Sequence, residues 1–439
     1  MNKQAVNSIV HGGWVLTQSV PEEQLRHHAV VVHEGIIVNV LPSDQVSDRY
    51  VADEELFLND HVVMPGLVNT HGHAAMSLLR GYADDLELHR WLEDHIWPTE
   101  GENVGHSFVY DGTRLAIAEM IRNGTTCFSD MYFFPEACID AVRESGMRAQ
   151  ITPNVFDFPS AWSTPEDYFD KVTAAREYAA KDKRITFAIG PHAPYTVNDD
   201  NFKKCVEYTR EHCLPLQVHL HETQKEADDA ETATGKRPIQ RLLELGVITD
   251  KAQLVHMTAL TDAEIAQVGE AGASVLHCPK SNLKLASGIA PIQKLLDAGV
   301  NVAIGTDGGA SNNSLDMFSE LQYAAMVGKV CTSDATAVSA ARALQMATLN
   351  GAKALGLDHL TGSLVQGKQA DFIAVRLDQV EQLPLFNPQS HLVYTQSSSN
   401  VTHTWVSGQC LMKDRKLTTM DEGDVKAAAL KWQQAFLSA

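Results

Sequence analysis

Two patterns of hydrophobic and polar positions alternate along this chain. From about residue 6 to 64, short β-branched runs such as VVV (30–32) and IIVNVL (36–41) are separated by turn signals such as HEG. After residue 362, short strand patterns return in ADFIAVRL and VTHTWVSGQCLMKD. We therefore predict a small β-domain built from both ends of the chain, with the middle inserted into it.

The middle of the chain alternates strand-like and helix-like segments. Segments such as DAEIAQVGEAG and IQKLLDAG space apolar residues three and four apart, and four of five such segments end in Gly, which is typical of amphipathic helices. The eight predicted strands are GLVNTH (66–71), TTCFSD (125–130), MRAQITP (147–153), ITFAIG (185–190), LPLQVHL (214–220), AQLVH (252–256), ASVLH (273–277) and VNVAIG (300–305). Eight such βα units predict a TIM-like (β/α)₈ barrel and an α/β fold class.

These patterns define four predicted parts. Residues 1–64 and 363–417 would form a β-sandwich domain, and residues 65–362 would form the barrel. Residues 418–439 have helical spacing and an acidic start, so we predict a C-terminal packing helix there.

Charge and cysteine content exclude some functions. The 439 residues contain 35 Lys and Arg against 55 Asp and Glu, a formal charge of −20, which disfavours nucleic acid and anionic membranes as partners. The seven cysteines form no C-x-x-C pair, and no apolar stretch suits a signal peptide or a membrane span. We expect free thiols, a cytoplasmic location and a homodimer or homotetramer.

Polar side chains, mostly histidines, end the predicted barrel strands. In barrels of this kind the active residues cluster at the C-terminal ends of the strands. The residues at these ends are His71, His73, His192, His219, His221, Glu222, His256, His277 and Asp307. Their number predicts an active site at this end of the barrel.

Two of these histidines and one carboxylate suit a divalent metal ion. Residues i and i+2 of a strand share a face, so His71 and His73 can both point into the barrel mouth. Asp307, in GTDGG, is the expected carboxylate ligand, because the flanking glycines let the backbone bend sharply; a helix N-cap is its alternative role. These ligand types predict one metal ion per chain, with Zn²⁺ as the default and iron or manganese as alternatives.

The third imidazole ligand is His219 or His221, since strand parity places both on one side. We choose His219, because Glu222 then follows three residues later, beyond the strand end, where it can act as an acid or a base. A metal ion with an open position lowers the pKa of bound water to about 7, so hydrolysis is the expected reaction type. Glu222 and Asp307 would share the proton transfers, and His256 would orient the water.

Several long motifs resemble the amidohydrolase superfamily. In chain order they are PGLVNTHGHAAMSLLRGYADDLEL, GPHAPYTV, VHLHET, SNLKLASGIAP, GTDGGASNNSLDM and MATLNGAKALG. The resemblance runs from about residue 6 to 413 and is strongest to the branch that deaminates 5′-methylthioadenosine and S-adenosylhomocysteine.

This resemblance implies a mononuclear metal site with His71, His73, His219 and Asp307 as ligands. Binuclear members use a modified lysine after the fourth strand, where this sequence has GPHAPY. The resemblance also implies that Glu222 protonates the purine nitrogen N1, and that Asp307 passes a proton from water to the departing ammonia.

Further residues are implied as substrate contacts. Glu100, in the WPxE segment, would accept hydrogen bonds from the ribose hydroxyls, because a carboxylate can take both hydroxyls of a diol. His192 would contact the base or the sugar. Trp91 and Ser311 are further candidates, with core packing and a turn as their alternatives. We therefore predict a zinc-dependent deaminase of adenosine-type nucleosides, with 5′-methylthioadenosine as substrate and S-adenosylhomocysteine and adenosine as further candidates.

The sequence departs from the family pattern in two places. Gly72 replaces the more usual Thr, which loosens the backbone between two predicted ligands. The segment TPNVFDFPSAW lacks an arginine that some members use on the 5′ side of the substrate. A neutral methylthio group is therefore expected to be preferred over an acidic 5′ tail.

Two other functions stay open from the sequence. The same metal site would serve a hydrolase acting on guanine, cytosine or a triazine ring, and loss of Glu100 would separate it from a nucleoside deaminase. A catalytically silent barrel that keeps its metal site for assembly is the second alternative.

Overall fold

The computed structural model describes residues 3–395 and 397–438. The chain folds as an α/β protein with a TIM-barrel-like unit and an extra β-domain. The strands are β1 (Gln4–Leu16), β2 (Gln24–His33), β3 (Ile36–Pro42), β4 (Tyr50–Pro65), β5 (Leu67–Asn69), β6 (Thr125–Asp130), β7 (Arg148–Ile151), β8 (Asn154–Val155), β9 (Ile185–Phe187), β10 (Gly190–Pro191), β11 (Leu216–Leu220), β12 (Ala252–His256), β13 (Ser274–His277), β14 (Asn301–Ile304), β15 (Phe372–Arg376), β16 (Val401–Val406), β17 (Gln409–Lys413) and β18 (Lys416–Leu417).

The α-helices lie mostly between the barrel strands. They are α1 (Val46–Arg49), α2 (Leu88–Trp91), α3 (Trp97–Asn103), α4 (His106–Arg122), α5 (Pro135–Ser145), α6 (Tyr168–Ala179), α7 (Asp199–His212), α8 (Gln224–Thr234), α9 (Pro238–Glu244), α10 (Asp262–Ala271), α11 (Pro279–Lys284), α12 (Ile292–Asp297), α13 (Gly309–Asn312), α14 (Met317–Thr332), α15 (Ala340–Met346), α16 (Leu349–Ala354), α17 (Pro388–Tyr394) and α18 (Glu422–Ser438).

One eight-stranded sheet joins the two ends of the chain. Its order is β18-β17-β16-β15-β4-β1-β2-β3. Strand β4 pairs in parallel with β1 and antiparallel with β15, so it connects the N-terminal strands to the C-terminal ones. The predicted extra β-domain is confirmed, and its main sheet contains strands from both ends of the chain. Its limits and its arrangement as a sandwich stay predictions.

All eight strands predicted for the barrel are present in two parallel sheets, β5-β6-β7-β9 and β11-β12-β13-β14. Strands β11 and β12 are buried along their whole length, as parallel strands covered by helices must be. The two sheets meet at both edges, where Thr70 N donates to Ile304 O (3.1 Å) and Gln217 N donates to Ile189 O (2.9 Å). A continuous ladder of eight strands stays a prediction.

The predicted helices are also present. Four of them, α5, α9, α10 and α12, are followed by glycines with positive φ, namely Gly146, Gly246, Gly272 and Gly299, as the sequence pattern predicted. Helix α18 packs against α4, with the rings of Trp432 and Phe108 centred 5.3 Å apart.

The described residues also show the state of the cysteines and the character of the helices. All seven cysteines are free thiols, as predicted. Within the described ranges, no helix has both the length and the apolar character that crossing a bilayer requires.

Candidate active site and metal centre

The ends of three parallel strands bring the predicted metal ligands together. His71 and His73 follow β5, His219 lies in β11, and Asp307 follows β14. Asp307 N donates to His71 O (3.0 Å), which ties the loop after β14 to the chain after β5. Gly305 permits this close approach, because a Cβ at that position would lie 2.8 Å from the backbone nitrogen of His71.

Three imidazole nitrogens and one carboxylate oxygen meet at one point. The ligand atoms of His71, His73 and His219 all lie within 4.8 Å of one another. The Nε2 atoms of His71 and His219 are 3.2 Å apart. Asp307 Oδ1 is 3.3 Å from His73 Nε2 and 3.6 Å from His71 Nε2. Bonds of about 2.0–2.1 Å in a tetrahedral shell separate the ligand atoms by about 3.4 Å, so this spacing suits a zinc-sized ion.

Hydrogen bonds to Nδ1 fix which nitrogens face this point. His73 Nδ1 donates to a backbone carbonyl (2.6 Å), and His219 Nδ1 donates to another (2.7 Å). Since a carbonyl only accepts, Nε2 of both rings carries the lone pair. His71 Nδ1 is 2.7 Å from Gln217 Oε1, and the amide nitrogen of Gln217 donates to Gln253 Oε1 (2.7 Å). Three lone pairs therefore converge, as metal ligation requires.

The electrostatics also fit a cation. Burial lowers the pKa of His71 and His219, which favours the neutral imidazole that a metal ligand must be. Burial alone would raise the pKa of Asp307, but the neighbouring imidazoles of His71 and His73 hold it well below its usual range. Burial would likewise lower the pKa of His73, yet Asp307 raises it to about 9, so a positive charge, either a proton or a metal ion, is favoured between His73 and Asp307. The cluster therefore attracts positive charge.

The backbone around Asp307 aims its carboxylate at this cluster. Asp307 adopts a left-handed conformation (φ 64°), which its flanking glycines in GTDGG accommodate. Its Oδ2 accepts from the hydroxyls of Ser281 (2.6 Å) and Ser311 (2.9 Å). The alternative role as an N-cap is wrong, because Gly308 and Asp316 hold the N-cap positions of α13 and α14.

Glu222 and His256 lie side by side next to the cluster. Glu222 Oε2 is 3.7 Å from His256 Nε2, and both residues are buried. Glu222 Oε1 accepts from Ser287 Oγ (3.2 Å), and His256 Nδ1 lies 2.9 Å from Asn282 Oδ1. The backbone at Glu222 is fixed by Glu226, whose carboxylate accepts from the backbone N–H of Glu222 (2.8 Å).

His221 lies apart from the cluster, although it shares the parity of His219. Its Nδ1 is 2.9 Å from Ala259 O, and its Nε2 accepts from Ile239 N (3.2 Å). Both ring nitrogens are therefore used for structure. His277 and Cys278 are also buried, and neither lines the cavity described next.

A cavity of about 310 Å³ opens over the cluster. The predicted residues Trp91, Glu100, His192 and Ser311 all line it, together with Glu222, His256 and Asp307. Trp91 is 5% exposed, so it both lines the cavity and packs in the core. His192 Nδ1 lies 3.0 Å from Thr196 Oγ1, which orients the ring.

Glu100 lies in the cavity wall, where the neighbouring His73 acts on its charge. The hydroxyl of Tyr132 donates to Glu100 Oε1 and holds the carboxylate in place. Burial raises the pKa of Glu100 to about 7, although this hydrogen bond opposes the rise. The group is therefore a carboxylate acceptor that is ionised from neutral pH upwards.

One part of the remaining cavity wall is aromatic. Phe133, Phe156 and Phe158 lie along it, and the rings of Phe156 and Phe158 are centred 5.0 Å apart. Among the described residues that line the cavity, none is a lysine or an arginine. This part of the cavity suits an apolar, uncharged group.

Sequence reasoning missed several residues that hold the site. Asp130 ends β6 in the position that the histidines occupy on other strands, and it accepts from the backbone of Ala74 (2.7 Å). Gln217 lies two residues before His219 on the same face of β11. Both could have been found from strand parity. No pattern in the sequence pointed to Tyr132 as a residue of the site.

Comparison with known proteins places this chain in a family. The model of the amidohydrolase family matches residues 62–411. A 5-methylthioadenosine/S-adenosylhomocysteine deaminase from Saccharophagus degradans is 46% identical over 433 residues, covering 98% of this chain and 97% of that protein. A 5'-deoxyadenosine deaminase from Methanosarcina mazei is 41% identical over 424 residues, covering 96% of each.

A solved structure agrees with these relatives. The crystal structure of an adenosine deaminase from Xanthomonas campestris with bound zinc superimposes with a TM-score of 0.98 at 43% identity, covering all of both chains. The family match, the near full-length relatives and the histidine cluster point the same way. The chain belongs to the amidohydrolase family.

Proposed function

We propose that this protein catalyses the hydrolytic deamination of adenosine-type nucleosides, converting 5′-methylthioadenosine to 5′-methylthioinosine and ammonia. The observation that carries the proposal is the cavity itself, which joins a cluster of three imidazole lone pairs to two acidic side chains and a separate acceptor for a diol. The names of the relatives and of the zinc-bound neighbour support this substrate class.

His71, His73, His219 and Asp307 would hold one Zn²⁺ ion. The converging lone pairs and the neighbouring carboxylate suit that ion, and the residue after β10 is His192, without the lysine of a binuclear site. When bound, zinc lowers the pKa of a coordinated water to about 7 and so supplies a nucleophile at neutral pH.

Glu222 and Asp307 carry the two proton transfers of the reaction. Attack at C6 of the purine needs a proton delivered to ring nitrogen N1 and another delivered to the leaving amine. Glu222 lines the cavity, with Oε1 accepting from Ser287 and Oε2 beside His256, so we assign it the proton to N1. Asp307 accepts one proton of the water and passes it to the departing amine, which leaves as ammonia, while His256 orients the water. The second proton of the water, now on the C6 oxygen, returns to Glu222 and restores its acid form.

Glu100 binds the sugar from the cavity wall, beside Tyr132. Tyr132 donates to Oε1, and a carboxylate has further lone pairs with which to accept from the 2′ and 3′ hydroxyls of a ribose. His192 contacts the base or the sugar through Nε2, because its Nδ1 already faces Thr196. Trp91 and Ser311 complete the wall, and Ser311 acts through its hydrogen bond to Asp307.

The aromatic wall sets the preferred 5′ group. No described lysine or arginine lines the cavity, so the carboxylate of S-adenosylhomocysteine has no cation to pair with there. A methylthio group instead buries apolar surface against Phe133 and Phe156. We therefore rank 5′-methylthioadenosine above S-adenosylhomocysteine.

The test is steady-state kinetics on zinc-loaded protein with 5′-methylthioadenosine, S-adenosylhomocysteine, adenosine, guanine and cytosine. We expect ammonia release from the nucleosides, with the highest kcat/KM for 5′-methylthioadenosine. Turnover of guanine, cytosine or a triazine without turnover of any nucleoside would contradict the proposal and favour a hydrolase of free rings.

The pH dependence of KM tests the role of Glu100. Since its pKa is raised to about 7, Glu100 is ionised above that pH and protonated below it. We expect KM for 5′-methylthioadenosine to rise several-fold from about one pH unit above this value to about one unit below it, because protonation removes acceptor capacity. The measurement is KM across this range for the wild type and for Glu100→Gln.

The matched variant for this test is Glu102→Gln, two residues along the same helix and exposed to solvent. It should keep the pH profile of the wild type, whereas Glu100→Gln should show a raised KM without the pH dependence. An unchanged KM in Glu100→Gln would show that another group binds the sugar.

We also propose the finer architecture that the sequence predicted. Strands β5, β6, β7 and β9, β11, β12, β13 and β14 would close into one (β/α)₈ barrel of residues 65–362, set in a β-sandwich formed by residues 1–64 and 363–417, with a C-terminal helix in residues 418–439. Three element boundaries support these limits: β4 ends at Pro65, β15 begins at Phe372 and α18 ends at Ser438. The homo-oligomeric state and the cytoplasmic location stay predictions.

A further inference from the structure

A short segment beside the active site packs behind the proton-transfer residues. Helix α11 begins at Pro279 and ends at Lys284, and the chain then turns back through Ala286, whose φ is positive (53°). The backbone N–H of Ser287 donates to Asn282 O (2.9 Å), which closes the turn as in a Schellman motif. The turn therefore places Ser287 close to the first turn of the helix.

Three side chains of this segment reach three different residues of the site. Ser281 Oγ donates to Asp307 Oδ2 (2.6 Å). Asn282 Oδ1 lies 2.9 Å from His256 Nδ1. Ser287 Oγ donates to Glu222 Oε1 (3.2 Å). These partners are the three residues to which we assign the proton transfers and the orientation of water.

The segment acts from outside the cavity. Ser281, Asn282 and Ser287 are 0%, 1% and 7% exposed, and none of them lines the cavity, which excludes direct contact with a substrate there. The side-chain oxygen of Asn282 accepts a hydrogen bond from Nδ1 of His256. The other ring nitrogen, Nε2, therefore faces Glu222. The segment thus fixes orientations without touching the reacting atoms.

Close backbone packing keeps the segment in place. Gly288 follows Ser287 with φ 139°, and a Cβ there would lie 2.7 Å from Thr258 Oγ1. The same hydroxyl donates to the carbonyl of Glu222 (2.7 Å). Because residue 288 is a glycine, the segment can pack closely against Thr258. Ser287 and Thr258 then hold Glu222 from two sides.

We propose that the segment from Ser281 to Ser287 positions the proton-transfer groups as one unit, and that Ser287 sets which carboxylate oxygen of Glu222 donates to the substrate. The inference rests on the proposed function. Because Ser287 donates to Oε1, the proton of the carboxylic acid is placed on Oε2, the oxygen on the side of His256. Ser287 is a positioning residue, since it acts only through Glu222.

Kinetics of Ser287→Ala test this role with 5′-methylthioadenosine as substrate. This variant loses the hydrogen bond from Ser287 to Glu222. We expect kcat to fall about tenfold, while KM stays within about twofold of the wild type. Zinc content and Tm should match the wild type. Ser287→Thr keeps the hydroxyl and should restore most of kcat. Ser145→Ala removes a buried hydroxyl that donates to Val142 O and accepts from Met147 N, outside the cavity; it is the matched control and should behave as the wild type.

A double-mutant cycle separates positioning from a general structural effect. In the Glu222→Gln background, Ser287→Ala should cause no further loss of kcat, because the group that Ser287 orients is already gone. An equal tenfold loss in both backgrounds, or wild-type kcat in Ser287→Ala, would overturn the proposal. A loss confined to KM would also overturn it.

Failure of the proposed function would give a different result. In that case the wild type would release no ammonia from nucleosides but would hydrolyse another ring. The same cycle on that ring would still decide the role of Ser287, since Glu222 would protonate any ring nitrogen placed in the cavity.

Discussion

Glu222→Gln should abolish most turnover while leaving a folded protein that binds zinc. The amide has the shape of the carboxylate but cannot release a proton to N1 of the purine, so we expect kcat to fall by about 10³-fold. The metal-facing atoms of His71, His73, His219 and Asp307 do not depend on Glu222, so the zinc content should stay near one ion per chain. Kinetics together with metal analysis of the same sample check both parts.

Glu231→Gln is the control for this prediction, because Glu231 is an exposed residue of α8 outside the cavity. It should retain wild-type kcat. A Glu222→Gln variant with full activity would show that the proton to the ring comes from another group. Loss of zinc from that variant would place Glu222 among the metal ligands instead.

Asp307→Ala should have the larger effect, since it removes a metal ligand and a proton acceptor together. Oδ1 of Asp307 faces Nε2 of His73 at 3.3 Å, and Oδ2 is held by two serine hydroxyls. We expect a loss of about 10⁴-fold in kcat, at the upper end of the range for acid and base catalysis, and weaker zinc binding.

The stabilisation of Asp307→Ala by zinc gives an independent readout. A ligand that binds only the folded state raises Tm by an amount that grows with the logarithm of its affinity, so the rise in Tm on adding zinc should shrink or vanish in this variant. Asp262→Asn, an exposed position at the start of α10, should keep the wild-type rise. An undiminished zinc response in Asp307→Ala would show that the three histidines suffice for binding.

Much of the architecture could be predicted because its signals are local. A buried parallel strand needs a run of apolar residues, and an amphipathic helix needs apolar residues three and four apart, so β6 and β12 were predicted with the bounds that the structure shows. The metal cluster was also predictable, because the ends of parallel strands meet at one end of a barrel. His71, His73 and His219 each stand at such an end.

The contacts behind the site could not be predicted, because they join residues far apart in the chain. Ser287 and Glu222 are 65 residues apart, and Tyr132 and Glu100 are 32 apart. No periodicity relates such pairs, since each depends on where a loop at the barrel mouth places its side chains. Strand parity allows either His219 or His221 as the third ligand. The structure separates the two, because both ring nitrogens of His221 bond to the backbone.

The most direct test is the reaction of zinc-loaded protein with 5′-methylthioadenosine in oxygen-labelled water, followed by absorbance at the purine band and mass spectrometry of the product. We predict a blue shift, one equivalent of ammonia, and one labelled oxygen in 5′-methylthioinosine, with about one zinc ion per chain. An unchanged spectrum from protein that holds its zinc would contradict a nucleoside deaminase at this site.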